Sequence, residues 1–454
     1  MNKKSSLKKI KNKKFKQLCE VLLTEMKRIK IPGASIGLWY KGKEQIAGFG
    51  RTSIEHPLPV TPETLFQIGS NTKPMVATAI LRLVEMGKLN LDNPVKTYLP
   101  ELKLKDKDVQ EKVTMRHLLN HTAGWEGDYF NDFGTGNDAL EKMMPALANL
   151  NQMTPLGEIW SYNNAAFYIA GRAIEVLTGK PFETAIKELV FEPLGMDMCF
   201  FYPDDIMITH RFAIGHDLIK KKNKVARPWA IPRSSAPAGG VVATAHDMLT
   251  FARFHMGNGN DLLKKTSINA MQKPTISTGN EQMGISWFVN DIEGKRVIYH
   301  GGATNGQHSG FWFIPENDFA LVLLTNSSET QADRIFSQAL KIYFDIIEPT
   351  PTPLDLPEDA YQALTGKYEN IEIILTVSLK EHELWVEYEH KGGFPTPDSP
   401  PLPVPPPMRI GVYKTDKIIT LDEPLKDRRG EFLRAPDGSL TWFRYGSRIH
   451  KKIQ

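Results

Sequence analysis

Gln67-Ile68-Gly69-Ser70-Asn71-Thr72-Lys73 leads straight into Met75, Val76, Ala79, Ile80, Leu83 and Val84. Those apolar residues form a broad face with almost no polar interruption, which predicts a central helix buried on most sides and closed by Gly87. A serine that opens such a helix carries Lys73 one turn later on the same face, so the two side chains can touch. A free serine is a poor nucleophile and needs a neighbouring base. A lysine serves once desolvation or nearby positive charge lowers its pKa from about 10.4. The helix N-terminus adds unpaired N–H groups for a developing anion. The competing structural role is an N-cap for Ser70 and a surface charge for Lys73, and S-x-x-K alone does not separate the two.

Upstream, Phe15, Leu18, Leu22, Met26 and Ile29 recur at helical spacing until Pro32 and Gly33 stop them. Segments 34–40 and 45–49 flank Lys41, Gly42 and Lys43 and predict a hairpin. Downstream, helices are expected at 115–119, 137–150, 163–177 and 182–190, an all-helical insertion, followed by one near 247–254. Strand-like segments then occur at 284–289, 296–299, 308–314 and 319–324, and a closing helix at 331–347 stripes Ile335, Ala339, Ile342 and Ile346. The fold class is therefore α+β: an antiparallel sheet flanked by helices, with an all-α subdomain.

Pro349, Pro351, Pro353 and Pro357 mark a boundary. Beyond it, short alternating segments at 367–368, 371–377, 383–388, 409–413, 417–421, 431–434 and 440–445 predict a small all-β barrel or sandwich, with a polyproline loop at 395–407. The expected divisions are a basic extension at 1–14, a main domain at 15–348, a linker at 349–358 and a small β domain at 359–454.

The 454 residues are 41% hydrophobic and 24% charged, the composition of a globular enzyme rather than a membrane protein. A net charge of +4 is too small for a nucleic-acid partner, and the lysines among residues 3–14 read as a solvated end. Cys19 and Cys199 sit in apolar patterns and are expected as buried thiols. No metal or cofactor is expected. The first 31 residues lack an uninterrupted apolar run, so a cytoplasmic location is the default, or a periplasmic or extracellular one if the chain is a mature form.

Two further stretches carry chemistry. Ser161-Tyr162-Asn163-Asn164 precedes an apolar helix. A tyrosine near a lysine can be held as phenolate or can pass a proton, and Asn164 can offer its amide to a substrate carbonyl or to Lys73. The structural alternative is an aromatic packed at a helix start with an asparagine cap. His300-Gly301-Gly302-Ala303 ends an apolar strand whose missing side chains let an extended acyl group lie along its edge. There the N–H groups of Ala303 and Ser70 can form an oxyanion hole.

Taken together and in this order, S-x-x-K, Y-x-N and H-G-G resemble the three-motif signature of serine penicillin-recognising enzymes. Thr114-Met115-Arg116-His117-Leu118-Leu119-Asn120-His121-Thr122-Ala123-Gly124 and Pro237-Ala238-Gly239-Gly240-Val241-Val242-Ala243-Thr244-Ala245-His246-Asp247-Met248 are similar to two further blocks of the β-lactamase-related family. The resemblance spans about residues 31–347. It implies a β-lactamase/transpeptidase-like fold with Ser70 as nucleophile, Lys73 and Tyr162 handling protons, and Asn164, His300, Gly301 and Gly302 binding substrate. His300 departs from the K-T-G usual in class C β-lactamases and would be largely neutral, which disfavours efficient β-lactam turnover. His117 and His121 tempt a metal reading, but their expected task is to fix the loop beside the site, with His121 satisfied. The C-terminal segment resembles the lipocalin-like barrels of some members, and both shielding of the groove and homo-oligomer assembly are open to it.

Three functions compete. The leading one is an acyl-serine esterase or D-amino-peptide hydrolase acting on a small-molecule or peptide substrate. The second is a class C-like β-lactamase. The third is a penicillin-binding-like module for binding or scaffolding, against which the intact Ser70, Lys73 and Tyr162 weigh, since a binder needs no nucleophile beside its base.

Overall fold

The computed structural model describes residues 7–453 except 202, 210, 259–261, 331, 394–395, 397 and 401–403. Helix α1 (Lys13–Arg28) starts where the Asn12 side chain accepts a hydrogen bond from the Phe15 N–H at 3.0 Å. Its stripe of Phe15, Leu18, Cys19, Leu22 and Met26 is buried. Strands β1 (Gly33–Tyr40) and β2 (Lys43–Gly50) form the expected hairpin, with Gly37 opposite Ile46. Helices α2 (Thr72–Glu85), α3 (Met115–Leu119), α4 (Ala165–Thr178) and α5 (Ala245–Arg253) follow. Then come β3 (Ile276–Ser277), β4 (Gln282–Met283), β5 (Phe288–Ile292), β6 (Lys295–Thr304), β7 (Gln307–Ile314), β8 (Phe319–Thr325) and helix α6 (Ala332–Phe344).

The strands make one eight-stranded sheet in the order β2-β1-β8-β7-β6-β5-β4-β3, so the first hairpin joins the last strand and brings the chain's two ends of this body together. Period-two alternation assigns its faces. Ile36, Leu38, Leu321 and Leu323 pack with α1 and α6, whereas Val322, Leu324, Phe311 and Phe313 join the core containing α2, α4 and α5. Strand β8 is buried along its whole length, as a strand covered on both faces must be.

Several expected elements are shorter or differently built. Segment 284–289 is not one strand: β4 ends at Met283 and β5 begins at Phe288. The bend between them holds Ser286 at φ +60° and Trp287 in the core, so an apolar run there reflects a buried turn. The 137–150 helix is α-helical only over Ala139–Met143 and continues as a tighter turn over Met144–Asn149, where Pro145 removes a helical N–H. The 182–190 helix is regular over Phe182–Ile186 and then widens over Lys187–Phe191. Two short strand pairs accompany the helical insertion, Phe66–Gln67 with Val242–Ala243 and His216–Ile219 with Lys222–Val225. Of the 331–347 helix, residue 331 lies outside the described residues, as does part of the 395–407 loop.

The C-terminal strands β9 (Gly366–Glu369), β10 (Ile373–Lys380), β11 (Glu383–His390), β12 (Met408–Lys414), β13 (Lys417–Thr420), β14 (Arg429–Arg434), β15 (Leu440–Tyr445) and β16 (Arg448–Lys452) close into a barrel, β16 pairing back onto β9. Tyr368, Leu375, Val386, Ile410, Phe432 and Phe443 fill its interior. The stacked Phe432–Phe443 pair, 4.4 Å between centroids, adds about 1 kcal/mol beyond area burial. Both cysteines are buried thiols, and burial raises Cys19 to about 12. No helix among the described residues is long and apolar enough to cross a membrane.

Candidate active site

Ser70 sits in a single turn, Gly69–Asn71, that runs into α2. Gly69 has φ +53°, and a Cβ on it would come 2.6 Å from the Ala303 nitrogen, so the turn lies flat on β6. From the other side, a Cβ on Gly302 would fall 1.9 Å from the Ile68 carbonyl oxygen. Ser309 of β7 fastens the same turn: its hydroxyl donates to Ile68 O at 2.6 Å and accepts from the Asn71 amide at 2.7 Å. Gly69 and Gly302, one from each motif, are thus explained by one close approach of two backbones.

Lys73 is fully buried on the first turn of α2. Its Nζ lies 3.0 Å from Ser70 Oγ and donates to Ala238 O at 2.7 Å, while the rings of Tyr162 and Phe167 face it at 4.9 and 5.4 Å. Burial holds its pKa well below the ordinary lysine value, the Arg448 guanidinium lowers it further, and Asp128 pulls the other way. A neutral amine keeps a lone pair for the Ser70 hydroxyl proton.

Tyr162 precedes α4 in a loop held from several sides. Its N–H donates to Ser447 O at 2.9 Å, and its ring stacks on His121 at 4.4 Å. His121 Nδ1 accepts from the Asn163 N–H at 3.0 Å, which is the loop-fixing task expected of it. The expectation that His121 is fully satisfied fails, since its Nε2 is buried with no partner among the described residues. Burial raises the Tyr162 phenol above its ordinary range, opposed by Ser70 and Arg448. Its hydroxyl is therefore close enough to feel Ser70, yet among the described residues it makes no hydrogen bond of standard geometry. A neutral phenol suits proton relay better than the phenolate also considered above. His117 instead closes a capping box with Thr114 at the start of α3.

Asn164 donates its amide to Asp128 Oδ1 at 2.5 Å and makes no hydrogen bond to Lys73 among the described residues. His300 lies on β6, which runs through the H-G-G-A motif to Thr304 rather than ending before it. Its Nδ1 is 2.5 Å from Gly301 O. Burial and then Lys73 push its pKa down to about 3, so the imidazole is neutral. Ser70, Tyr162, Asn164, His300, Gly301, Gly302 and Ala303 all line one cavity of about 910 Å³, with Lys73 behind its wall.

Sequence reasoning missed the residues brought by the C-terminal barrel and by the loop after Trp125. Arg448 forms a two-pronged ion pair with Asp128, Nε to Oδ2 at 2.8 Å and Nη2 to Oδ1 at 3.1 Å, and its guanidinium lies 4.7 Å from the Tyr162 ring centroid. Glu372, also from the barrel, lines the cavity, and burial raises it to about 8 with help from Asp128 and against Arg448. Arg448 opens β16, a basic strand of sequence Arg-Ile-His-Lys-Lys that carries no alternating apolar signal.

The family described as Beta-lactamase matches residues 20–341. Penicillin-binding protein 4 of Amycolatopsis lactamdurans is 31% identical over 316 residues, covering 65% of this chain and 81% of that protein. A β-lactamase of Yersinia enterocolitica is 29% identical over 347 residues, covering 67% and 84%. Among solved structures, that of SurE superposes with a TM-score of 0.77 at 23% identity, covering 97% of this chain and 99% of that one. The octameric penicillin-binding protein homologue from Pyrococcus abyssi gives 0.68 at 23%, covering 96% and 98%.

Proposed function

The chain belongs to the Beta-lactamase family, and from that membership we propose that it is a serine hydrolase cleaving esters or D-amino-acid peptides through an acyl-enzyme on Ser70. The observation that carries this is the 3.0 Å contact between Ser70 Oγ and the Nζ of a fully buried lysine, whose pKa burial holds well below the ordinary value. Ser70 Oγ attacks the carbonyl carbon while its proton passes to Lys73. The bond to the leaving oxygen or nitrogen then breaks, and that atom takes the proton through the Tyr162 phenol. Water attacks the acyl-serine ester, returns a proton by the same route, and releases the acid with Ser70 restored. The N–H groups of Ser70 and Ala303 take the role of oxyanion hole, and Asn164 with the Gly301–Gly302 edge that of substrate contacts.

Neutral His300 supplies no cation for a drug carboxylate, which favours esters and peptides over β-lactams. β-Lactam hydrolysis is the second reading, supported by the Yersinia relative. Nitrocefin distinguishes them, and slow acylation without turnover is the expected result. A binding or scaffolding module is the third, and labelling of Ser70 by a fluorophosphonate excludes it. Assembly into homo-oligomers is proposed from the octameric neighbour and is tested by light scattering.

The first test is Ser70→Ala assayed with p-nitrophenyl butyrate. Turnover should vanish with thermal unfolding unchanged, and full activity in the folded variant would overturn the proposal.

A further inference from the structure

The tip of the β15–β16 hairpin reaches out of the barrel and into the cavity that Ser70 lines. Gly446 and Ser447 both have positive φ, +58° and +67°, in a two-residue turn that pairs Tyr445 with Arg448. Such a turn is rigid and follows the twist of its strands, so it presents the Ser447 carbonyl and the Arg448 side chain at fixed positions. Ser447 O accepts the Tyr162 N–H at 2.9 Å. Arg448 grips Asp128 with two hydrogen bonds, and Asp128 in turn holds the Asn164 amide at 2.5 Å. The Asp128 side chain keeps only 2% exposure, so without its cation it would be a buried, unpaired charge.

We propose that Arg448 is a positioning residue of the acylation site: its guanidinium, clamped to Asp128 and laid over the Tyr162 ring, holds the Asp128 and Tyr162 loops together against Lys73. The barrel thereby completes the site instead of merely covering it. This rests on the hydrolase reading above for its catalytic meaning, although the geometry of the clamp stands independently of it.

Arg448 also supplies the positive charge nearest in effect to Lys73. The other titratable groups around that lysine are Asp128 on its loop, His121 and Tyr162 from the helical insertion, and His300 on β6. Both histidines are held neutral by burial, and Glu372, which faces Asp128 and Arg448 from the barrel, is raised to about 8 by burial and Asp128; of the charges acting on Lys73, Arg448 lowers its pKa and Asp128 raises it.

The test uses the full chain with Arg448→Met, Arg448→Lys and the double variant Arg448→Met/Asp128→Asn, which leaves no bare carboxylate should the single variant misfold. One readout is the titration of Lys73 in protein carrying ¹³C-labelled lysine, its signal assigned by loss in Lys73→Met. The second is the pH dependence of Ser70 acylation by a fluorophosphonate, followed by intact mass. Arg448→Met should raise the Lys73 midpoint, move the acid limb of acylation to higher pH and slow acylation about a hundredfold. The double variant should show the same shifts to a smaller degree, and Arg448→Lys should restore the pH profile in part. Folded variants with an unmoved Lys73 titration, or with wild-type acylation rate and pH profile, would overturn the proposal. A wild type that never acylates at Ser70 would instead sink the hydrolase reading, while the Lys73 titration would still judge Arg448.

Discussion

At the residue scale the site works by denying charge. Lys73 is stripped of solvent, set near the Arg448 guanidinium and left within reach of Ser70 Oγ, conditions that lower the pKa of an amine. Replacing it with methionine should slow acylation of Ser70 about 10²- to 10⁴-fold, the usual worth of a positioned general base, with kcat falling rather than KM rising. An unchanged kcat would show that another group takes the proton. His300 is expected to stay neutral throughout: with its pKa pushed down to about 3, its ring proton resonances should not move between pH 5 and 8. A midpoint near 6.5 would place a cation in the cavity and reopen β-lactam carboxylate binding. Both residues stood out in the sequence because S-x-x-K and H-G-G are short and contiguous. The lowered pKa of Lys73 was legible only as a requirement, since Arg448, the cation that adds to the effect of burial, and Asp128, which opposes it, are 375 and 55 positions away in the chain.

At the element scale, the decisive contact is between the Ser70 turn and strand β6. Gly302 has no room for a side chain, because the atom in the way, Ile68 O, belongs to a backbone that Ser309 and Asn71 hold in place. Gly301 next to it is different: the nearest atom to an added Cβ is Ser309 O at 3.8 Å. Gly302→Ala should therefore lower unfolding stability by about 1–3 kcal/mol and slow acylation, while Gly301→Ala should change stability by less than about 0.5 kcal/mol. Urea denaturation of the two variants reads this directly, and equal effects would contradict the packing described. The sequence showed two glycines after a strand and no more. What separates them is the register in which β6 meets a turn more than 230 residues earlier, which no local pattern encodes.

At the scale of the whole molecule, acid should destabilise the fold through buried imidazoles. His255 is enclosed by Phe251, Phe254 and Trp287, and burial lowers its pKa from 6.5 to about 3. Between those values the unfolded chain binds a proton that the native one refuses, so stability rises from pH 3 to about 6.5 and is lost again on acidification. His255→Phe should lose less stability than wild type between pH 7.5 and 5 in urea titrations, and an identical loss would count against a neutral buried ring. The α+β body was readable because its elements announce themselves by period: α1 through Phe15, Leu18 and Leu22, and β8 through an unbroken apolar run. The barrel was readable as short alternating segments, but its eighth strand was not, since Arg448-Ile449-His450-Lys451-Lys452 has a single apolar residue, Ile449, and no apolar alternation. That strand carries the residue that ties the barrel to the site, so long-range closure escaped a reading built on local pattern. The most direct check on the chemistry assigned to this cavity is intact-mass spectrometry with peptide mapping after exposure to a panel of esters, D-amino-acid peptides and β-lactams. An acyl adduct on Ser70 that forms in wild type, is absent in Ser70→Ala and turns over with esters or D-peptides is the expected result. A folded protein that forms no adduct, or forms it on another residue, would contradict it.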